Sequence, residues 1–257
     1  MDDTATPATI ANVEEAAQAP QLPQLSRTVY RHRLATRLWH WVNAITIFVM
    51  IGSGLTILNA HPHLYWGRFG ANFDQPWLDL PHWPGWVTIP AHYNLALARR
   101  WHLTFALVLG FGLLVFMVAS LINRHFQRNL RVRAKEVAPR HLLDDAIAHT
   151  RFDFHNPDDP AAYNTLQKLS YVSTIFVLIP LMIFTGLAMS PAMDAAWPWL
   201  LEIFGGRQSA RSIHFIAAAL LVGFVVVHLA LVILAGPFEE TMSMITGRWK
   251  LPPERGE

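Results

Sequence analysis

The chain has 257 residues, of which 53% are hydrophobic and 15% are charged, and its mean hydropathy is +0.26. Soluble domains carry about a quarter charged residues, so this composition predicts a membrane protein. The chain has no cysteine, which excludes disulfides, thiolate metal sites and covalent c-type haem, and its net charge of only +2 predicts no nucleic-acid partner.

The N-terminal segment 1–26 is polar, acidic and rich in alanine and proline. It lacks the basic start and apolar centre of a secretion signal, so we expect a disordered cytoplasmic tail. The membrane domain is then expected over residues 27–250, followed by a second short cytoplasmic tail over 251–257.

Four later segments are long and apolar enough to cross a bilayer, which takes about 20 mostly apolar residues. Together they predict an all-α fold, an integral membrane four-helix bundle. Pro180 lies inside the third segment and predicts a kink there. The spans are expected at about 38–58, 101–122, 169–190 and 213–235.

The distribution of lysine and arginine predicts the orientation, since these residues concentrate in cytoplasmic loops. They are dense before the first span and in 123–162, whereas 59–98 contains only Arg68 and is followed by Arg99 and Arg100. We therefore expect 59–98 to be an outer loop, 123–162 an inner loop, and both termini to be cytoplasmic. The protein would be a multi-pass protein of the bacterial inner membrane, surrounded by lipid.

The outer loop is rich in tryptophan and proline, which predicts a short structured cap at the membrane interface. Its four histidines could form a metal site, but exposed loop histidines are the commoner case. They are His61, His63, His82 and His92.

Histidines inside the spans fall at two depths. His214 and His228 both lie in the fourth span, fourteen residues and therefore about 21 Å apart on one side of the helix. The first span enters from the cytoplasm and the second from outside, so His40 lies at the depth of His228 and His102 at the depth of His214. The sequence thus predicts an inner pair and an outer pair.

Ionisable groups within a membrane are costly and usually functional. Two imidazoles are too few for a zinc site, and the spans contain no Asp or Glu for a proton relay. A porphyrin supplies four nitrogens itself and needs two axial ligands, so each pair predicts one non-covalent b-type haem with bis-histidine ligation. Glycines would leave room for the porphyrins, namely Gly52, Gly54, Gly110, Gly112, Gly186 and Gly223.

Arginines stand beside the predicted ligands, at Arg37, Arg99, Arg100 and Arg211. We expect Arg37, Arg100 and Arg211 to pair with haem propionates. Their position would be explained equally well by the cytoplasmic bias of basic residues or by snorkelling to the membrane surface.

Several motifs resemble one family. TRLWHWVNA, RRWH and YNTLQKLSY open the first three spans, and two histidines with 13 residues between them lie in the fourth. These resemble the prokaryotic di-haem cytochrome b subunits of nickel–iron hydrogenase, formate dehydrogenase-N and thiosulfate reductase, over most of 27–250. The long inner loop and TGLAMSP look most like the thiosulfate-reductase branch.

The resemblance implies the same two histidine pairs as haem ligands. It also implies a quinone site near the inner haem, with Asn164, Gln167 and Lys168 as its residues, although a helix cap with an interfacial lysine would explain them too. The partner would be a periplasmic redox subunit, such as a molybdopterin oxidoreductase, and a homodimer stays open.

These features predict an electron-transfer subunit that works between quinone near the cytoplasm and a periplasmic redox partner, with no catalytic residue of its own. One alternative is a stand-alone membrane oxidoreductase that takes electrons from superoxide or another small donor. A basic rim would suit such an anion, formed by Arg68, Arg99, Arg100, Arg207 and Arg211. The other alternative is a haem-free, proton-coupled transporter with histidine relays.

Overall fold

A computed structural model describes most of the chain. The two tails predicted at 1–26 and 251–257 lie outside the described residues, as do Asn164 and most of the inner loop. The described residues are 28–71, 73–124, 126, 132, 136–150 and 165–250.

The described elements are mostly helical. In chain order they are β1 (Thr28–Tyr30), α1 (Leu34–Asn59), β2 (His63–Leu64), β3 (Leu78–Asp79), a 3-10 turn (Gly85–Val87), α2 (Leu95–Ile122), α3 (Pro139–Thr150), α4 (Thr165–Ser173), a π turn (Thr174–Leu178), α5 (Ile179–Met189), α6 (Pro191–Ala196), α7 (Pro198–Ile203), α8 (Arg207–Ala235), α9 (Pro237–Thr246) and β4 (Arg248–Lys250).

Four helical stretches within the described residues are long and apolar enough to cross a membrane. They are α1, α2, the continuous stretch from α4 to α5, and α8, which confirms the predicted helical membrane bundle. Each begins four to six residues before its predicted start, because apolarity marks only the part inside the hydrocarbon while helical hydrogen bonds continue to the cap. Asn94, for example, caps α2 by accepting a hydrogen bond from the Leu97 N–H at 2.9 Å.

The third span adapts to the proline predicted to kink it. The π turn over Thr174–Leu178 comes immediately before Pro180, and the helix continues beyond it to Met189. Proline lacks an N–H group and crowds the preceding turn, so a wider turn at this point lets the span continue.

The spans pack as two close pairs, α1 with α2 and α5 with α8. Gly112 of α2 leaves room for the Trp39 ring, since a Cβ there would lie 2.7 Å from Trp39 Cζ3. Trp39 also stacks on Phe116, with the two ring centres 5.3 Å apart. The outward faces of the spans are apolar, as expected for helices surrounded by lipid; Leu107 and Phe111 of α2 are both more than 60% exposed.

The two chain ends meet at one end of the bundle, here called the termini end. Strands β1 and β4 pair antiparallel, with Val29 opposite Trp249. Arg31 forms an ion pair with Glu240 of α9 at 3.7 Å and lies over the Trp249 ring. Trp249 Nε1 donates to Glu240 Oε1 at 3.2 Å.

The opposite end carries a structured loop between α1 and α2, here called the cap (residues 60–94). Strands β2 and β3 form a hairpin in it, and the carbonyl of Gly67 accepts hydrogen bonds from the N–H groups of Gln208 and Ser209 in the first turn of α8, both at 3.1 Å. On its other side, the Ile89 N–H donates to the Gly52 carbonyl of α1 at 3.0 Å. The cap thus joins the two helix pairs.

Candidate functional site

The structure brings together the histidines that were predicted to pair from their depths in the spans. At the termini end, the ring centres of His40 on α1 and His228 on α8 lie 6.3 Å apart. At the cap end, the ring centres of His102 on α2 and His214 on α8 also lie 6.3 Å apart. Helix α8 therefore supplies one ring to each pair.

This separation fits a single metal held between the two rings of a pair. A ring nitrogen lies about 1.1 Å from the imidazole centre and about 2.0–2.1 Å from a bound first-row metal, so two axial imidazoles place their centres about 6.3 Å apart. Both pairs show this separation, and two unrelated ring contacts have no reason to repeat it. Both pairs therefore suit axial ligation of a haem iron.

The rings at the cap end are oriented by hydroxyl groups. Ser53 Oγ lies 3.1 Å from His102 Nδ1, and Thr185 Oγ1 lies 2.9 Å from His214 Nδ1. A hydrogen bond at Nδ1 leaves Nε2 as the nitrogen that can bind a metal, which is the usual second-shell arrangement at metal-ligating histidines.

The two histidines at the termini end have different contacts. His40 Nδ1 is buried and has no hydrogen-bond partner among the described residues. The His228 ring stacks on Phe224, with ring centres 5.8 Å apart and planes 11° from parallel. The His40 ring thus lacks, at Nδ1, the hydrogen bond that orients each ring at the cap end.

Two of the span glycines lie against the rings. A Cβ on Gly54 would lie 3.5 Å from His102 Cε1, and one on Gly186 would lie 3.6 Å from His214 Cε1. Gly110 and Gly223 face open space within 4 Å. These four positions are compatible with clearance for a large planar group.

The other two glycines serve helix packing instead. Gly112 makes room for Trp39, as described above, and a Cβ on Gly52 would lie 2.8 Å from Ile89 Cγ1 of the cap. For Gly112 the reason is the small-residue packing common between membrane helices, and for Gly52 it is the close approach of the cap.

Enlarging Gly186 provides a graded test of the cap-end pair. Gly186→Ala adds only an ordinary contact with the His214 ring, whereas Gly186→Leu adds three further carbon atoms beside it. If each histidine pair holds one haem, we expect the alanine variant to keep both and the leucine variant to lose the one bound by this pair, measured as the haem absorbance per protein. Equal haem content in the two variants would contradict this placement of the group.

The arginines expected to meet propionates contact backbone carbonyls. Arg37 Nε donates to the Met244 carbonyl at 3.4 Å. The Arg211 guanidinium donates to the His63 carbonyl at 3.2 Å and to that of His61. Arg100 is exposed. Each guanidinium has five N–H donors, so these contacts leave donors for an anion, and the propionate role stays a prediction.

The predicted basic rim at the cap end is partly neutralised. Arg68 forms an ion pair with Glu202 at 2.5 Å, and Arg207 forms one with Asp194 at 2.9 Å. Glu202 lies 134 residues along the chain from Arg68, so no sequence pattern predicts that pair. The rim therefore attracts an anion less strongly than the arginines alone suggest.

The residues expected to border a quinone lie on α4. Lys168 forms an ion pair with Glu136 at 3.3 Å, and their side chains are only 18% and 22% exposed. Helix α4 is joined to the His40–His228 pair by aromatic contacts: Tyr171 lies 6.5 Å from Phe224, which stacks on His228. Gln167 is on the same helix, while Asn164 lies outside the described residues.

The outer-loop histidines do not assemble a metal site. Among the described residues there is no group of three or more His, Cys, Asp or Glu side chains that could hold a metal ion. His63 contacts Asp79, and His61 stacks on Tyr65. Burial, followed by the charge of Arg211 and the neighbouring His63, lowers the pKa of His61, which keeps this ring neutral at pH 7.

Sequence reasoning missed four residues that contact the predicted site. Ser53 and Thr185 each precede a glycine in an apolar span, and this pattern of a hydroxyl residue followed by glycine is the signal that could have identified them. Phe224 lies one helical turn before His228, which also could have been noticed. Glu136 carried no signal, because only the fold brings it to Lys168.

Comparison with known proteins identifies related sequences. The model of a family described as prokaryotic cytochrome b561 matches residues 31–247. A protein of Azospira oryzae, named as the YedZ1 subunit of a protein-methionine-sulfoxide reductase, is 26% identical over 82% of this chain and 94% of its own length. A protein of Cupriavidus necator that is named as a Ni/Fe-hydrogenase B-type cytochrome subunit is 24% identical over 79% of this chain and 78% of its own length. A protein of Azotobacter vinelandii with the same name is 25% identical over 87% of this chain and 88% of its own length. No solved structure matches.

Proposed function

This chain belongs to the prokaryotic cytochrome b561 family, and from that premise we propose that it is the membrane electron-transfer subunit of an oxidoreductase complex. It is a multi-pass membrane protein of a b-type cytochrome family. We assign it to the bacterial inner membrane with both termini in the cytoplasm, as the distribution of basic residues predicts. The termini end is then the inner end, and the cap end faces outward.

The observation that carries the proposal is the matched spacing of the two histidine pairs. His40 with His228 and His102 with His214 would each hold one b haem, which supplies a one-electron iron couple when bound. With two histidines for each haem, the chain would leave no ligand position for a substrate, and this favours electron transfer over chemistry at the metal.

The quinone site is proposed at the inner end, at Asn164, Gln167 and Lys168. Two observations support it: α4 lies next to the inner pair through Tyr171 and Phe224, and Lys168 is a largely buried cation in the first turn of the third span. The ammonium group of Lys168 and the amide of Gln167 can donate hydrogen bonds to quinone carbonyls. Glu136 beside Lys168 can accept the proton that quinol oxidation releases.

The redox partner is proposed at the outer end. The relatives support a partner subunit, since they are named as subunits of a methionine-sulfoxide reductase and of Ni/Fe-hydrogenases. A molybdopterin oxidoreductase in the periplasm is the partner class that we propose for this chain.

The two alternatives receive less support. A stand-alone oxidoreductase for superoxide depends on a free basic rim, and Arg68 and Arg207 are ion-paired. A haem-free transporter does not suit a chain whose family consists of cytochromes.

The proposal is tested by spectroscopy on the purified full-length protein with quinol as reductant. We expect b-type bands with about two haems per chain, and reduction by added quinol. We expect Lys168→Met to slow the quinol-driven reduction about tenfold or more, the effect of losing a charge-assisted hydrogen bond worth about 1.5–3 kcal/mol.

Two controls make this test specific. Dithionite should reduce the haems of Lys168→Met fully, since the haem ligands are unchanged. Arg140→Ala, which removes an exposed cation from the neighbouring helix α3, should leave the quinol-driven rate unaltered. A colourless protein would contradict the electron-transfer function, and an unaltered rate in Lys168→Met would contradict the quinone site alone.

A further inference from the structure

Each histidine of the outer pair contacts a hydroxyl residue followed by a glycine, and the two histidines contact such pairs on two different helices. Ser53 and Gly54 of α1 meet the His102 ring, and Thr185 and Gly186 of α5 meet the His214 ring. In each case the hydroxyl lies at Nδ1, at 3.1 Å and 2.9 Å, and the glycine lies against Cε1. We call these pairs of residues the hydroxyl–glycine dyads.

The hydroxyl of each dyad has a backbone carbonyl of its own helix to which it can donate its proton. Ser53 Oγ donates to the Val49 carbonyl at 2.8 Å, and Thr185 Oγ1 donates to the Leu181 carbonyl at 2.6 Å. With that proton given to the backbone, each oxygen accepts a hydrogen bond from a histidine Nδ1–H, which is the ring form that leaves Nε2 for ligation.

These hydrogen bonds lie where they have the greatest electrostatic effect. The Ser53 and Thr185 side chains are both 0% exposed, so water cannot replace them. An acceptor at Nδ1–H pulls the proton away from the ring and makes the ligating nitrogen more basic. A more basic axial ligand stabilises the oxidised iron relative to the reduced iron, because the ferric ion carries the greater charge.

In the inner pair, His40 has no such hydrogen bond at Nδ1. Its Nδ1 is buried without a hydrogen-bond partner among the described residues. The second coordination shell is thus asymmetric: both outer ligands have an acceptor at Nδ1, and at least one inner ligand has none.

We propose that the Ser53–Gly54 and Thr185–Gly186 dyads orient the outer histidines and lower the midpoint potential of the outer haem selectively. Ser53 and Thr185 are positioning residues, acting through His102 and His214. The inference rests on the proposed function, since it requires a haem between these rings. It goes beyond that function because it assigns a difference between the two centres to particular side chains.

The test is a redox titration, followed by visible spectroscopy, of the full-length protein carrying Ser53→Ala or Thr185→Val. Each variant should show a positive shift in the midpoint potential of one centre only, and the double variant a larger shift of the same centre. The shifted centre should be the one that His102→Ala removes. The electron paramagnetic resonance signal of that ferric centre should move as well, because it reports the ligand field of its axial histidines.

A matched control and a rescue separate positioning from general structural damage. Thr56→Val removes a buried hydroxyl from the same helix α1, one that donates to the Gly52 and Ile89 carbonyls and has no hydrogen bond to a histidine among the described residues. It should leave both potentials unchanged. Thr185→Ser keeps a hydroxyl and should restore most of the original potential.

The outcomes distinguish this inference from the function on which it rests. If both haems are present and Ser53→Ala and Thr185→Val leave the outer potential unchanged, or shift both centres equally, the dyads do not tune the outer haem. The same conclusion follows if Thr56→Val shifts the outer potential as much as they do. If the unaltered protein binds no haem, the proposed function itself fails, and the dyads are then only helix-packing features.

Discussion

Replacing His214 with alanine is expected to remove one haem, the one shared with His102, and to leave the other in place. The haem content of the purified protein should fall by about half, because an iron with one remaining axial ligand in an apolar cleft is held much less tightly. His102→Ala should give the same spectrum, while His40→Ala and His228→Ala should each remove the other component. Reduction of an acceptor outside the membrane by quinol should stop in all four variants.

The physical reason is the geometry of α8. Fourteen residues, about 21 Å along the axis, separate its two histidines, so neither ring can substitute for the other. Each ring faces a different partner helix, α2 at the cap end and α1 at the termini end.

The matched control for these variants is His92→Ala, since His92 is an exposed histidine of the cap. Its haem content should equal that of the unaltered protein. If His40→Ala and His214→Ala removed the same spectral component, the pairing would be wrong.

Replacing Gly206 with alanine is expected to release the cap from α8. Gly206 has a φ of 109°, which L side chains rarely adopt, and a Cβ there would lie 2.7 Å from Arg68 Cα and 2.8 Å from the Gly67 oxygen. The backbone strain costs about 1–3 kcal/mol, and the collision with backbone atoms that cannot rotate away adds about 1–3 kcal/mol. The free energy of unfolding should fall by the sum.

The cap is expected to detach from α8 first on heating, because the Gly67 carbonyl accepts hydrogen bonds from the N–H groups of Gln208 and Ser209, next to Gly206. These bonds lie within two turns of His214, so the outer haem should be lost at a lower temperature than the inner one. The measurement is the absorbance of each haem during heating.

Gly236→Ala is the matched control. Gly236 has a similar φ of 114°, but nothing lies within 4 Å of its Cβ position. Only the backbone strain should appear, and it should not affect the outer haem selectively. Equal effects of the two substitutions would show that the contact between Gly206 and the cap does not stabilise the outer site.

The spans and the depth of their histidines could be predicted because they depend on local properties. A run of about 20 apolar residues is sufficient to identify a span, and a helix of known rise fixes how far apart its side chains lie. The fourth span with His214 and His228 is the clearest case, since two costly side chains in an apolar helix have few explanations. The starts of the helices were predicted less well, because their first turns are not apolar.

The remaining features depend on residues that are distant in the chain. Val29 pairs with Trp249, Arg68 with Glu202, and Lys168 with Glu136. A charge near one end of a span gives no indication of which opposite charge it will meet, because many pairings satisfy the same pattern. The hydroxyls of Ser53 and Thr185 are a similar case: a buried hydroxyl can always bond its own helix backbone, so the sequence does not require a second partner.

The sequence alone determined that four apolar helices cross the membrane and that their histidines occur at two depths, because helix length and helical rise need no information from elsewhere in the chain. Only the tertiary structure decided which rings face each other at 6.3 Å, which glycines serve packing, and which hydroxyls orient the outer histidines. These depend on how the helices rotate about their axes, which is set by the packing of Trp39 on Gly112, Ile89 on Gly52 and the cap on α8.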